Sequence, residues 1–244
     1  MKTTRAHCKQ PACRAAIEIS RTDLTMVVVE GAERCAVRGH HVPLLAQGAS
    51  GITQEGMGEL VAALTTLVGK EKLNGTSVRI ALSSDFCVTR VVAGETEVVQ
   101  REIRELRERS SHYLWLGAGP KALAESSRAI DAKQTQTWLT VANDHTLSSV
   151  VRAAKQAGLS VEFIEPSMLA MCRALGKTGR DKDGPVILIE LIQRGVALGV
   201  SYRGQLLFDY RPGGIDSKEH IAEIVTRHRE RIQRYCNRYF RFAT

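Results

Sequence analysis

The 244-residue sequence has few aromatic residues and no long hydrophobic run. Phe, Trp and Tyr make up 5% of it, so aliphatic side chains must fill its core. A helix that spans a bilayer needs about 20 mostly apolar residues in a row, and no segment approaches that length. The first residues are basic but no apolar segment follows them, so no signal peptide is predicted. These absences favour a cytosolic globular protein.

The six cysteines, at positions 8, 13, 35, 87, 172 and 236, lack the spacing of a disulfide framework. A zinc site would have to recruit Cys8, Cys13 and Cys35 with His40 or His41, in a pattern that matches no compact zinc motif. Zinc is therefore the alternative, and we predict free, mostly buried thiols in a reducing compartment, with no metal site.

Positive charge is in excess, with a formal net charge of +8, and it is concentrated at the C-terminal end. Six arginines and one acid, Glu230, occur from Arg227 onward. A long amphipathic helix is predicted there, with Ile224, Ile232 and Tyr235 on its apolar stripe. Such a basic face more often contacts solvent or a protein than nucleic acid. A nucleic-acid-binding protein stays as an alternative.

Two segments share one pattern: a strand with an acid near its end, a tight turn and a returning strand. The second segment, 184–214, reads GPVILIELIQRGVALGVSYRGQLLFDYRPGG, with strands predicted over 185–192, 196–200 and 205–210. The first segment, 14–33, reads RAAIEISRTDLTMVVVEGAE. Alignment of Glu18 with Glu190 brings the two turns into register. The pattern predicts a duplicated architecture.

The sequence between the two segments predicts an α/β block. Strands are predicted over 78–82, 86–92, 135–141 and 159–163, and helices over 96–110, 143–158 and 166–175, after an earlier helix that ends at Gly69. Gly117-Ala118-Gly119-Pro120 is predicted to be a turn. The predicted organisation is a flexible tail (1–13), a first core part (14–76), an inserted α/β subdomain (77–176) and a second core part with the basic helix (177–244).

Two acid-tipped hairpins that flank an inserted block resemble the actin-like ATPase superfamily. VRIALSSDFCVTRVV and TWLTVANDHTLSSVVRAAKQAGLSVEFIEPSMLAMCRAL resemble the inserted subdomain of the type IV pilus assembly protein PilM family, and the second hairpin resembles that family's phosphate hairpin and Gly-Gly turn. The resemblance covers roughly residues 14–225. It implies an α/β, actin-like (ribonuclease H-like) duplicated core with an inserted small α+β subdomain. An incomplete second lobe is expected, because 61 residues run from Gly184 to Thr244.

The resemblance places any nucleotide contact at the hairpin turns and the Gly-Gly turn. These residues are Glu18, Ser20, Arg21, Glu190, Gln193, Gly213 and Gly214. In relatives that bind ATP, strand-end carboxylates hold magnesium and turn amides cradle phosphates. Here the strand ends carry Glu in place of Asp, and Ile192 replaces a glycine. We therefore expect weak or absent binding of ATP with magnesium, no catalytic residue, and two glutamates that cap strand ends near solvent.

The resemblance implies a cytoplasmic scaffold of a type IV pilus or type II secretion machine, peripheral to the inner membrane through its partners. The implied partners are the cytoplasmic tail of an inner-membrane pilus assembly protein and the assembly ATPase, and a homo-oligomer is compatible with the superfamily. The alternative to the scaffold is an active actin-like ATPase or small-molecule kinase. That enzyme would use Glu18 or Glu190 to position magnesium and a nucleophile.

Overall fold

The computed structural model describes residues 14–30, 36–46, 51–193, 195–212 and 221–239. Its strands are β1 (Arg14–Ile19), β2 (Asp23–Glu30), β3 (Ala36–Pro43), β4 (Ser77–Leu82), β5 (Cys87–Glu95), β6 (Lys121–Ala129), β7 (Gln134–Asn143), β8 (Ser160–Pro166), β9 (Val186–Ile192), β10 (Gly195–Tyr202) and β11 (Gln205–Tyr210). Its helices are α1 (Gln54–Glu71), α2 (Thr96–Glu108), α3 (Asp144–Gln156), α4 (Ser167–Thr178) and α5 (Ile221–Tyr239). The predicted N-terminal tail, Cys8, Cys13, Cys35, Gly213 and Gly214 lie outside the described residues.

The first sheet has five strands in the order β3-β2-β1-β4-β8. β1, β2 and β3 form an antiparallel meander, and β4 and β8 add to β1 in parallel. Side chains alternate between the two faces of a strand, so Ile17 and Ile19 of β1 are buried while their neighbours are exposed. Leu60 and Leu64 of α1 and Ala153 of α3 pack in the same core.

The second sheet, in the order β5-β7-β6, is antiparallel and lies between β4 and α3 in the chain. Val99 and Ile103 of α2 pack against Leu139 and Val141 of β7. This apolar stripe explains why α2, which is otherwise strongly charged, is held on the sheet.

The third sheet, β11-β10-β9, is a second antiparallel meander. Every residue of β10 from Gly195 to Ser201 is buried, because helices cover both faces. On one face Ala197 packs with Met168 of α4. On the other face Leu198 packs with Ile224 and Ile232 of α5.

One strand was not predicted, and the end of one helix was predicted too early. β6 was not predicted as a strand, because seven of its nine residues are exposed and no alternation marks it; only its pairing with β7 defines it. The first helix does not end at Gly69 but continues to Glu71, and Lys72 takes the left-handed conformation (φ 55°) that ends it.

The thiol prediction is confirmed for Cys87 and Cys172, the cysteines whose side chains are described, since both are free and buried. Burial raises the pKa of the Cys87 thiol well above its usual value and that of Cys172 to about 11. Within the described ranges, no helix combines the length and apolar composition needed to cross a bilayer.

Candidate functional site

Near the C-terminal end of β9, the side chain of Glu190 lies inside the protein. Glu190 is 7% exposed, and both of its carboxylate oxygens accept hydrogen bonds. Ser84 donates to it from its backbone amide at 3.0 Å and from Oγ at 2.5 Å, and Ser167 donates from Oγ at 2.6 Å. Burial raises the pKa of Glu190, although these hydrogen bonds oppose the rise. The expectation that both glutamates cap strand ends near solvent was therefore wrong for Glu190.

The tip of β1 lies near enough to Glu190 for their charges to interact. Glu18 is exposed, yet its pKa is raised, first by desolvation and then by the negative charges of Glu190 and Asp23. The charge of Glu190 thus acts on the glutamate that the repeated sequence pattern placed at the equivalent position in β1.

Asp85, in the turn between β4 and β5, connects the two hairpin turns. Its carboxylate accepts the backbone N–H of Gln193, 3.2 Å from each oxygen, and lies 3.9 Å from Nε of Arg21. The guanidinium of Arg21 also donates to the carbonyl oxygen of Asp85 at 3.1 Å. Arg21 and Asp85 are both 5% exposed. We call this group, Arg21, Asp85 and Gln193, the turn clasp.

Three backbone amides among the described residues of the two turns are already hydrogen-bonded within the protein. Phosphate binding would need free turn amides, but Oγ of Ser20 accepts the amides of Thr22 at 3.1 Å and Asp23 at 3.0 Å. The Gln193 amide is taken by the Asp85 carboxylate. The Asp85 carboxylate therefore accepts the Gln193 amide that a bound phosphate would require as a donor. The nucleotide role of these residues stays a prediction.

Ile192, which replaces the family's glycine, is buried, and the remaining predicted ligands lie outside the described residues. Ile192 is 2% exposed and packs with Met168 and Cys172 against α4. Gly213 and Gly214 are outside the described residues, as are the three cysteines of the zinc alternative. Across the part of the chain that is described, no three His, Cys, Asp or Glu side chains are grouped as a metal site would require.

Sequence reasoning missed Ser84, Asp85, Ser167 and Arg211. Arg211, just after β11, donates from its guanidinium to the carbonyl oxygen of Ser84. Its Cζ lies 4.2 Å from the ring centroid of Trp115. The available signal was Ser83-Ser84-Asp85, three polar residues that are all buried. Their burial is not visible in the sequence, where they only separate the predicted strands over 78–82 and 86–92.

Asp209 of β11 is half-buried and joins the third sheet to the second. Its Oδ2 accepts the backbone N–H of Thr89 at 3.1 Å. Burial raises the pKa of Asp209 to about 6; the charge of Glu190 adds to the rise, whereas the Thr89 hydrogen bond, Arg90 and Arg211 oppose it. Because the folded state favours the neutral acid, ionisation between about pH 4 and about pH 6 lowers stability.

Relative to the parent protein, Asp209→Asn is expected to gain about 2 kcal/mol in unfolding free energy as the pH rises from about 4 to about 7. Asparagine keeps an acceptor for the Thr89 amide and cannot ionise. A raised pKa stabilises the parent protein at low pH, and this advantage is lost as the pH rises through about 6. Urea unfolding across this pH range measures the change. Asp131→Asn, which removes a charge from an exposed turn, is the control; equal pH dependence in both variants would exclude Asp209 as the source.

A cavity of about 390 Å³ lies between the first and second sheets. We call it the apolar groove; it is lined by Leu82, Cys87, Ala122, Leu123, Ala124, Glu125, Ser126, Trp138, Thr140, Ala142, Leu147, Ile164, Glu165, Pro166 and Leu169. β6 and β8, which both contribute residues to this lining, are edge strands of their sheets within the described residues. The groove therefore combines an apolar lining with two strand edges.

No family model matches the chain, and no curated protein matches it. Among solved structures, the chain is similar to one in a PilM-PilN type IV pilus biogenesis complex, with 15% identity, a TM-score of 0.63, and coverage of 93% of this chain and 72% of that one. It is also similar to a protein of unknown function with an actin-like ATPase fold from Bacteroides thetaiotaomicron, with 10% identity, a TM-score of 0.54, and coverage of 94% and 81%. The expected fold class is confirmed: the chain has the α/β fold of the actin-like ATPases.

Proposed function

We propose that this chain is a cytoplasmic scaffold whose apolar groove binds the short cytoplasmic tail of an inner-membrane pilus or secretion protein. The observation that carries the proposal is that two edge strands, β6 and β8, both line the apolar groove. An extended peptide adds to a strand edge through main-chain hydrogen bonds, while its alternate side chains enter a pocket. The groove offers both requirements at one place.

The lining of the groove favours an apolar segment. Its volume lies in the range of roughly 300–1,000 Å³ that is typical of binding clefts. Its two acidic residues are already paired, Glu125 with Arg107 and Glu165 with Arg173, each at 2.5 Å. Since these carboxylates have arginine partners, the remaining recognition rests on aliphatic and aromatic contacts, among them Trp138.

The turn clasp supports a scaffold over an active ATPase. The amide of Gln193 and the carboxylate of Glu190, which would contact phosphate and magnesium, are held by Asp85, Ser84 and Ser167. The resemblance to the PilM family and the similarity to the structure of a PilM-PilN complex support a place in pilus or secretion assembly. In this proposal the protein lies at the inner membrane through its partners, which include the assembly ATPase.

Ala124→Arg is expected to weaken tail binding at least tenfold, about 1.4 kcal/mol. Ala124 is an exposed residue of β6 that lines the groove, so an arginine there fills the groove and places a charge in it without disturbing a core. Fluorescence anisotropy with labelled synthetic peptides, made from the cytoplasmic tails of inner-membrane pilus proteins, measures the dissociation constant.

Ala129→Arg is the matched control, because Ala129 is exposed on the same strand but lies outside the groove lining. Equal losses in the two variants, or an unchanged affinity in Ala124→Arg, would contradict the groove as the tail site.

Calorimetric titration with magnesium-ATP tests the enzyme alternative. Micromolar binding that Glu190→Ala abolishes would favour an active ATPase over the scaffold.

A further inference from the structure

Trp138 of β7 contacts two parts of the molecule. Its side chain lines the apolar groove, and its indole N–H donates to the carbonyl oxygen of Leu206 in β11 at 2.7 Å. The ring also packs on the cluster that holds the third sheet against α4, which includes Leu188, Ala197 and Leu206. The indole therefore joins the wall of the groove to the third sheet.

A polar network around the indole fixes its orientation. Gln136 is fully buried and donates from Nε2 to the carbonyl oxygen of Leu206 at 3.4 Å. Its Oε1 accepts two hydrogen bonds from the guanidinium of Arg128, at 3.1 Å and 2.8 Å. The Cζ of Arg128 lies 5.7 Å from the ring centroid of Trp138. Buried networks whose members are satisfied are rigid, so the position of the indole in the groove depends on a carbonyl group of the third sheet.

The strand that supplies this carbonyl is irregular at the same place. Val200 of β10 lies opposite Phe208. The next residue, Ser201, lies opposite Leu206, so that Leu207 is the extra residue of a β-bulge. Bulges interrupt the ladder and bend the strand locally. The irregularity of β11 thus coincides with the point where the third sheet meets β7.

We propose, on the basis of the tail site proposed above, that a tail bound in the apolar groove holds the third sheet in its docked position through Trp138. In the docked position β11 lies against β7. A tail that packs on the indole requires the orientation that Leu206 fixes, so it binds the docked state in preference to a state in which β11 has moved away. A ligand that binds one state alone favours that state about 100-fold at about 100 times its dissociation constant. By the same coupling, the docked sheet raises the affinity for the tail.

Hydrogen exchange of the full chain, followed by mass spectrometry, tests this link. The probe is the tightest-binding of the synthetic tail peptides, at about 100 times its measured dissociation constant. Amides of β9, β10 and β11 are expected to exchange up to about 100-fold more slowly with the peptide bound. Amides of β2 and β3 in the first sheet are the internal reference and are expected to change less.

Trp138→Phe keeps an aromatic ring in the groove but removes the indole donor. With the peptide again at about 100 times its dissociation constant for the variant, the extra protection of β9, β10 and β11 is expected to fall at least about tenfold. Leu123→Ala is the matched control, because Leu123 lines the groove from β6 and is 37% exposed. It is expected to weaken binding and to keep the protection once the peptide is bound. Full protection in Trp138→Phe would overturn the proposal.

Further outcomes separate this link from the tail site. A peptide that binds in the groove but protects the third sheet no more than β2 and β3 would disprove the link and leave the tail site intact. If no peptide binds, the tail site is wrong, and the link is decided without peptide. Trp138→Phe is then expected to speed exchange in β11 roughly fivefold through the lost hydrogen bond, and exchange equal to that of the parent protein would overturn the link.

Discussion

Asp85→Ala is expected to lower the free energy of unfolding by about 3 kcal/mol, because it removes the centre of the turn clasp. Loss of one member of a buried ion pair typically costs about 3–5 kcal/mol. In Asp85→Ala, Arg21 can still donate a hydrogen bond to the backbone carbonyl oxygen of residue 85. We therefore expect a loss near the lower end of that range. The Gln193 amide also loses its acceptor. Urea unfolding followed by circular dichroism measures the change.

A double-mutant cycle distinguishes coupling between residues of the turn clasp from a general loss of stability. Asp85→Ala and Arg21→Ala together are expected to cost at least about 1 kcal/mol less than the sum of the single variants, as residues in contact do. Glu162→Ala is the surface control. It breaks the exposed pair with Arg79 and is expected to cost at most about 1 kcal/mol. Additive effects of Asp85→Ala and Arg21→Ala would mean that no clasp couples the turns.

Gly176→Ala is expected to destabilise the protein by about 3 kcal/mol, although alanine is normally the better helix residue. A Cβ on Gly176 of α4 would lie 2.5 Å from the Cα of Gly204 and 2.9 Å from its nitrogen. Both atoms are backbone, so no side chain can rotate away. Overpacking of this kind typically costs about 1–3 kcal/mol and occasionally more.

The turn that meets Gly176 is itself held in place. Asp181 accepts the backbone N–H of Gly204 at 2.7 Å through Oδ2 and that of Arg203 at 3.1 Å through its carbonyl oxygen. Gly58→Ala in α1 is the matched control, because a Cβ there meets nothing within 4 Å. It is expected to stabilise the protein by about 0.5–1 kcal/mol. Thermal or urea unfolding of the two variants should therefore give changes of opposite sign, and equal signs would contradict the close contact.

The elements with strong periodicity were predictable. Alternation in β1 and the apolar stripe of α5, including Tyr235, which packs on Phe208, follow from the spacing of apolar residues. The duplicated meander was also visible, because β1 and β9 each place an acid before a tight turn. β6 could not be found in this way. It is exposed along most of its length, so its strand conformation depends on hydrogen bonds to β7 and not on its own pattern.

The candidate site depended on contacts that sequence spacing does not reveal. Asp85 and Gln193 are 108 positions apart, and Ser84 and Glu190 are 106 apart. Whether Glu190 faces a cleft or turns into the protein is decided by which segment packs against the tip of its strand. The sequence alone predicted Glu190 as a strand-end acid but not its serine partners.

By itself, the sequence determined the repeated hairpin and the basic C-terminal helix, because each is recorded in the periodicity or composition of a local segment, and its resemblance to a known family implied the fold class. Only the tertiary structure decided that Asp85 connects the two hairpin turns and that a groove lies between the first two sheets. Each of these features arises where distant segments meet. Their hydrogen bonds and packing exist only once the chain has brought those segments together.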